Sequence, residues 1–234
     1  MATHAWLFSY IKQTLHTMLY MINCKPDYKK ILQDRQILEL YSHIDDAEKA
    51  PWAKHGMEHI LRVVKNAKTL CKLLKIDKNT TFLTIIASIL HDAGATEGKK
   101  NHREKSAIFA QNYLKNAHFN ETDAQIIVEA IRHHASANPP LGLVHILLVC
   151  ADKLDCSQSR ILPSGYGVVG MRQSQFIKTI KLKMKSEKLF ILFKVSPHFD
   201  KTEFTNYYFT KLLYEALDQL SKQKRVNCEI VFKR

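Results

Sequence analysis

The apolar residues of this chain change character near Ser157. Before that point they recur at the three-and-four spacing of a helix; after it come stretches that alternate, as on a half-buried strand, with one further helical stretch among them. The first region predicts a succession of helices. Asp27 to Tyr41 carries Ile31, Leu32, Ile37, Leu38 and Leu40 near helical spacing. Gly56 to Leu74 sets Ile60, Val63, Val64, Ala67, Leu70 and Leu74 on one face. Asn79 or Thr80 caps a helix from Phe82 to His91, whose Ile85, Ile86, Ile89 and Leu90 make it apolar on most sides; Gly94 and Gly98 then open a loop. Arg103 to Asn116 follows. Thr122 and Gln125 have capping-box spacing for a helix ending near His134. Pro139 and Pro140 break the chain before the apolar stretch Leu141 to Leu154.

Past the switch, residues 157–173 read as loop. Ile180, Leu182 and Met184 alternate with Lys181, Lys183 and Lys185, and Ser186-Glu187 turns the chain into a second strand, Leu189 to Val195. Phe204 to Leu220 is helical, and Val226, Cys228, Ile230 and Phe232 alternate as a last strand. The expected fold is mainly α, a helical bundle with a small C-terminal β-β-α-β appendage. Its expected divisions are N-terminal helices over 1–50, a helical domain over 51–160 and a small α/β subdomain over 161–234. Only 7 Gly and 6 Pro in 234 residues agree with helices rather than a turn-rich sandwich.

The apolar stretch Ala5 to Ile22 contains Lys12, Gln13 and His16, and no basic residues lead into it. It reads as an amphipathic helix packed on the domain, not a signal peptide or membrane span. The five cysteines, Cys24, Cys71, Cys150, Cys156 and Cys228, are odd in number and form no CxxC pair. That points to a reducing, cytoplasmic setting without disulfides. The net charge of +13 draws anions such as nucleotides, nucleic acid or acidic headgroups, although a basic surface also serves solubility alone.

The helical region places His and Asp at unusual points. His59 lies on one helix, with His55 four residues earlier; the two share a face if the helix starts early enough. His91-Asp92 ends a buried helix, and His133-His134 ends another. Asp152 lies inside an apolar helix, where a carboxylate without a partner is costly. Each alone has an ordinary explanation. A histidine near a helix C-terminus interacts with the dipole, and Asp152 has Lys153, Arg132 or a helix N-terminus as candidate partners. Together, on separate helices, neutral imidazoles and carboxylates suit Zn, Mn or Fe.

His59, His91-Asp92 and Asp152 resemble the H…HD…D signature of the HD-domain metal-dependent phosphohydrolase superfamily. The local segments agree: His59-Ile60-Leu61-Arg62-Val63, Ser88-Ile89-Leu90-His91-Asp92-Ala93-Gly94 and Ala151-Asp152-Lys153-Leu154-Asp155. The resemblance spans roughly residues 50 to 160 and implies an HD-type helical bundle in which those four residues hold one metal. Asn101 to Ala107 and Ala130 to His134 are similar to the second-metal segments of binuclear members. That implies His102 and His134 on a second ion, Asp92 bridging, and two divalent ions (Mn, Fe, Co or Zn). His133 and His55 are candidates for a third ion, as in some HD-GYP proteins. Two departures stand out. Ala93-Gly94-Ala95 replaces the Ile-Gly-Lys that follows many His-Asp pairs, leaving Lys99 or Lys100 to stand in for the lysine. Gly165-Tyr166-Gly167 is not a GYP segment, which disfavours cyclic di-GMP.

The expected activity is hydrolysis of a phosphoester or phosphoanhydride in a nucleotide or cyclic (di)nucleotide by metal-activated hydroxide. A bound divalent ion lowers the pKa of water from about 15.7 toward 7, and a second ion about 3.5–4 Å away clamps phosphoryl oxygens. Asp92, Lys153 and Lys99 are the expected catalytic residues, with Lys100, Arg103 and Arg132 on substrate phosphates. Two alternatives stay open: a catalytically inactive nucleotide- or RNA-binding HD regulator, and an HD-type diiron oxygenase. The expected partner is an anionic nucleotide, with nucleic acid and a homodimer also open, and no transmembrane segment. No Walker loop or dinucleotide-binding glycine fingerprint is present.

Overall fold

The computed structural model describes residues 27–44, 52–98 and 100–234. The expected helices of residues 1–26 and the expected catalytic Lys99 lie outside the described residues. Among those described, no helix is long and apolar enough to cross a membrane.

The helical elements are α1 (Tyr28–Leu32), α2 (Arg35–Ser42), α3 (Met57–Leu73), α4 (Lys78–Leu90), α5 (His102–Asn116), α6 (Glu121–Arg132) and α7 (Leu143–Lys153). The C-terminal part follows with β1 (Ile177–Lys185), β2 (Lys188–Val195), α8 (Lys201–Asn206), α9 (Tyr208–Lys224) and β3 (Asn227–Lys233). The fold is therefore mainly helical with a β-β-α-β end, the expected class.

Local capping accounts for most boundary differences. The single helix expected over Asp27 to Tyr41 is two, because the Asp34 carboxylate accepts from Gln36 N–H at 2.8 Å and starts α2 afresh. Asp77, not Asn79 or Thr80, caps α4, accepting from Thr80 N–H at 2.8 Å. Asn120, not the Thr122–Gln125 pair, caps α6, accepting from Asp123 N–H at 2.8 Å. The helix expected over Phe204 to Leu220 divides at Tyr207, whose extended backbone (ψ 136) separates α8 from α9. Residues 157–173 are not plain loop: Pro163–Gly165 and Met171–Phe176 each form a 3₁₀ turn.

Helices α3 and α7 are the shared wall of two cores. Ile60 and Val64 of α3, with Val144 and Leu148 of α7, face a core completed by α1, α2, α4, α5 and α6. Val63, Ala67 and Leu70 of α3, with Ile146, Val149 and Cys150 of α7, face the other way, toward the sheet and α9. That second core includes Leu189, Ile191 and Phe193 of β2 and Leu213, Ala216 and Leu220 of α9. The C-terminal segment thus packs on the same helices that carry the His and Asp residues. β1 and β2 pair antiparallel around Ser186 and Glu187, both left-handed (φ 45 and 61), as a tight two-residue hairpin requires. β3 pairs parallel with β2, and α8 and α9 provide the crossover.

Candidate metal centre

Asp92 follows α4, a helix buried on nearly every side, and His91 is its C-cap. The chain then makes a 3₁₀ turn, Ala93–Glu97, packed on the start of α5. Gly94 makes that approach: a Cβ there would lie 2.4 Å from His102 O and from Ser106 N, so no side chain fits. Gly94 N–H also donates to Ser106 Oγ at 2.8 Å. This close packing sets His102, the first residue of α5, beside Asp92.

Five further positions complete the cluster. His59 lies in the first turn of α3. His55 precedes that helix, so the two do not share a helical face, yet His55 Nδ1 reaches Asp92 Oδ2 at 3.0 Å. His134 follows the end of α6, and Asp152 and Lys153 end α7. His59, His91, Asp92, His134 and Asp152 are all at most 4% exposed.

Three histidines have their tautomers fixed by pure acceptors. His91 Nδ1–H donates to Ser88 O (2.9 Å), His134 Nδ1–H to Ile131 O (2.7 Å) and His59 Nδ1–H to Asp155 Oδ2 (2.7 Å). Each therefore turns its Nε2 lone pair inward, the arrangement typical of metal-ligating histidine. His59 Nε2 stands 3.3 Å from His91 Nε2, 3.4 Å from Asp152 Oδ1 and 3.6 Å from Asp92 Oδ2. His91 Nε2 stands 3.6 Å from Asp92 Oδ2 and 3.8 Å from Asp152 Oδ1. Ligands about 2.0–2.2 Å from a common centre at tetrahedral angles are about 3.3–3.6 Å apart. The spacing, and two lone pairs turned toward each other, fit a divalent cation.

The two oxygens of Asp92 face different partners. Oδ2 faces His55, His59 and His91; Oδ1 lies 3.7 Å from His102 Nε2 and 3.8 Å from His134 Nε2. Buried triads compatible with an ion are His55/His59/Asp92, His59/His91/Asp152 and His91/Asp92/His134.

Charge and burial oppose each other here. Burial, reinforced by the Arg160 guanidinium, holds His59 down to about 4. Burial likewise holds His134 well below the usual histidine range. Burial also lowers His91, but the Asp92 and Asp152 carboxylates outweigh it and leave that imidazole above its ordinary value. Burial disfavours the Asp152 carboxylate, yet Lys153, His91 and His59 hold its carboxyl well below the usual range.

Lys153 Nζ lies 2.6 Å from Asp152 Oδ2, which directs Oδ1 to the histidines, and 4.6 Å from the centroid of the Phe209 ring. The structure does not bring every predicted residue to the cluster. His133 is exposed beside Glu129 (3.6 Å), with its imidazole away from the cluster, because it caps α6 on the outer side. Arg132 donates to Glu104 (3.0 Å) and pairs closely with Glu129, so its guanidinium is engaged on the surface. Lys100 and Arg103 are exposed at the start of α5 and do not line the pocket.

Residues that sequence reasoning passed over surround these. Asp155 holds His59 and also accepts from Arg62 Nε at 2.7 Å. Its signal is its spacing, three residues after Asp152 in Ala151-Asp152-Lys153-Leu154-Asp155. Arg160 Nη2 lies 2.7 Å from His55 Nδ1, brought there by the bridge between Ala53 and Ile161; no local pattern announced it. The cluster opens into a cavity of about 610 Å³ whose remaining wall comes from Trp52, Met171 and the start of α9.

Residues 56–156 match the HD domain family, so this segment of the chain carries an HD domain. Its match covers the segment from α3 to just past α7, which holds every residue of the buried triads except His55. Among solved structures, the chain is similar to a predicted HD superfamily hydrolase from an uncultured Thermotogales bacterium. The identity is 25% over 56% of this chain and 75% of that one, with a TM-score of 0.44. No curated protein matches the chain.

Proposed function

We propose that the protein is a metal-dependent phosphohydrolase acting on a phosphoester or phosphoanhydride bond of a nucleotide. The observation that carries this reading is the division of Asp92 between two sets of imidazoles, one oxygen to each. His59, His91, Asp92 and Asp152 would hold one divalent ion, and Asp92, His102 and His134 a second. Such ions supply Lewis acidity, which lowers the pKa of bound water and neutralises charge on phosphoryl oxygens.

The chain's own residues have distinct work. Asp155, Ser88 O and Ile131 O fix the imidazoles with Nε2 inward. Lys153 neutralises Asp152 and places a buried ammonium at the cavity, where phosphate oxygens can share it. Arg160 adds a second buried cation to the cavity lining, beside His55. A net charge of +13 favours capture of an anionic substrate over a neutral one.

The test is the purified full chain loaded separately with Mn, Fe, Co and Zn against a panel of nucleotides, cyclic dinucleotides and simple phosphate esters. Turnover of a nucleotide with at least one metal is expected. Absence of turnover with every metal, combined with oxygen consumption by the iron form, would replace the reading with an oxygenase.

A further inference from the structure

Two chemically different sets of side chains stand out in the lining of the cavity, among smaller and aliphatic residues. One is the ionic cluster; the other is aromatic, consisting of Trp52, Tyr207, Tyr208 and Phe209. All four aromatic residues lie outside residues 56–156, so the segment matched to the family supplies the His and Asp residues and the flanking segments supply the wall.

The wall is held in place by backbone and by an ion pair. Trp52 O accepts from Leu162 N–H at 2.9 Å, and the adjoining Ala53 bridges to Ile161. Tyr207 packs against Gly170, where a Cβ would come within 2.5 Å of its ring; Gly170 also has φ +81. Gly170 N–H donates to Glu203 Oε1 at 2.7 Å, and Arg172 grips the same carboxylate through Nε (2.8 Å) and Nη2 (2.7 Å). Tyr207 and Tyr208 are edge-to-face, with centroids 4.7 Å apart. Anchored this firmly at its base, the wall still leaves Trp52 50% and Tyr208 63% exposed. Single exposed aromatics are ordinary. Two on one cavity, beside two buried cations and the His/Asp cluster, form an amphiphilic site.

We infer that this aromatic wall binds the base of the substrate, so that a nucleotide lies with its ring on Trp52 and Tyr208 and its phosphate toward Lys153 and Arg160. The inference rests on the phosphohydrolase reading and assigns to this wall the recognition of the ring that a nucleotide carries. A cavity of about 610 Å³ lies within the usual 300–1,000 Å³ range of small-molecule sites. Flat aromatic faces suit a planar ring of any identity, because every base has a π-face; each such contact is worth about ten- to a hundred-fold in affinity. Ring-free sugar phosphates would reach only the cations.

Trp52 reports on its own site once Trp6, the other of the two tryptophans, is replaced in a Trp6→Phe background. The full chain, freed of metal, is titrated with adenosine, guanosine, cytidine and uridine monophosphates, the parent nucleosides, ribose 5-phosphate and an alkyl phosphate. At least one nucleotide is expected to quench Trp52 and bind ten-fold or more tighter than ribose 5-phosphate, with its nucleoside also quenching. Tyr208→Ala should remove that advantage while leaving ribose 5-phosphate affinity unchanged, and Tyr208→Phe should restore it. Equal affinity for nucleotides and ribose 5-phosphate, or tighter binding of the alkyl phosphate, overturns the inference. Turnover separates the two readings. Ring-dependent binding with no turnover under any metal removes the hydrolase and keeps the wall. Equal turnover of ring-free and nucleotide phosphates removes the wall and keeps the hydrolase.

Discussion

Replacing Asp155 by Asn changes one oxygen to an NH₂ group and should cost the site most of its metal affinity. Asp155 is 3% exposed and accepts two strong hydrogen bonds at 2.7 Å, from His59 Nδ1–H and from Arg62 Nε–H. An amide has one oxygen for two donors. If that oxygen stays with Arg62, an N–H faces His59 Nδ1, and His59 relaxes by moving its proton to Nε2. That nitrogen is the one facing His91, Asp92 and Asp152, so the lone pair offered to an ion disappears. Losing a hydrogen bond to a charged group costs about 1.5–3 kcal/mol. At 1.4 kcal/mol per factor of ten, this is about a ten- to hundred-fold rise in metal Kd, the range known for outer partners of metal-bound histidine. The assay is competition with a chromophoric chelator, run on the wild type, Asp155→Asn and Asp155→Ala, with circular dichroism to confirm folding. A folded Asp155→Asn protein whose metal Kd stays within about three-fold of wild type would refute the tautomer argument.

Other expectations follow from the same geometry. Asp92→Ala should lose bound metal and activity together, because Asp92 faces both donor sets; stoichiometric metal with intact activity in that variant would contradict it. Metal analysis of Mn- or Fe-loaded wild type should give two ions per chain, and His102→Ala with His134→Ala should reduce it to one; an unchanged count of one would make the site mononuclear. The metal-free fold should weaken in mild acid. His59 (held to about 4), His134 and His145 all have depressed values, so the unfolded chain takes up protons near 6.5 that the folded chain refuses. Stability from these groups is full above that value and falls as pH drops through it; the raised His91 acts the opposite way, but chiefly above 6.5, where its folded and unfolded forms differ in charge. Stability should therefore fall between about pH 6.5 and 5, and denaturant titrations at those two values that agree would refute it.

The class of fold and the grouping of His59, His91-Asp92 and Asp152 were legible from the residues alone. Helical spacing up to Ser157, and beyond it strand-like alternation around one more helical stretch, are local consequences of which faces must be buried, so they survive without tertiary knowledge. The apolar helix around Asp152 marked a carboxylate too costly to bury without a partner, and the resemblance to the H…HD…D signature joined it to His59 and His91-Asp92. Tertiary structure decided what depends on pieces far apart in the chain. Asp155 reaches His59 across 96 residues, and Arg160 reaches His55 across 105. Conversely, His133 and Arg132 adjoin His134 in sequence, yet the helical rotation per residue turns them outward. The aromatic side of the cavity joins Trp52 to Tyr207 and Tyr208, which only packing of α9 and the sheet against α3 and α7 could bring together. Periodicity reports which face of an element is buried; it carries no information about which distant element covers it, and the cavity is built from those distant pairings.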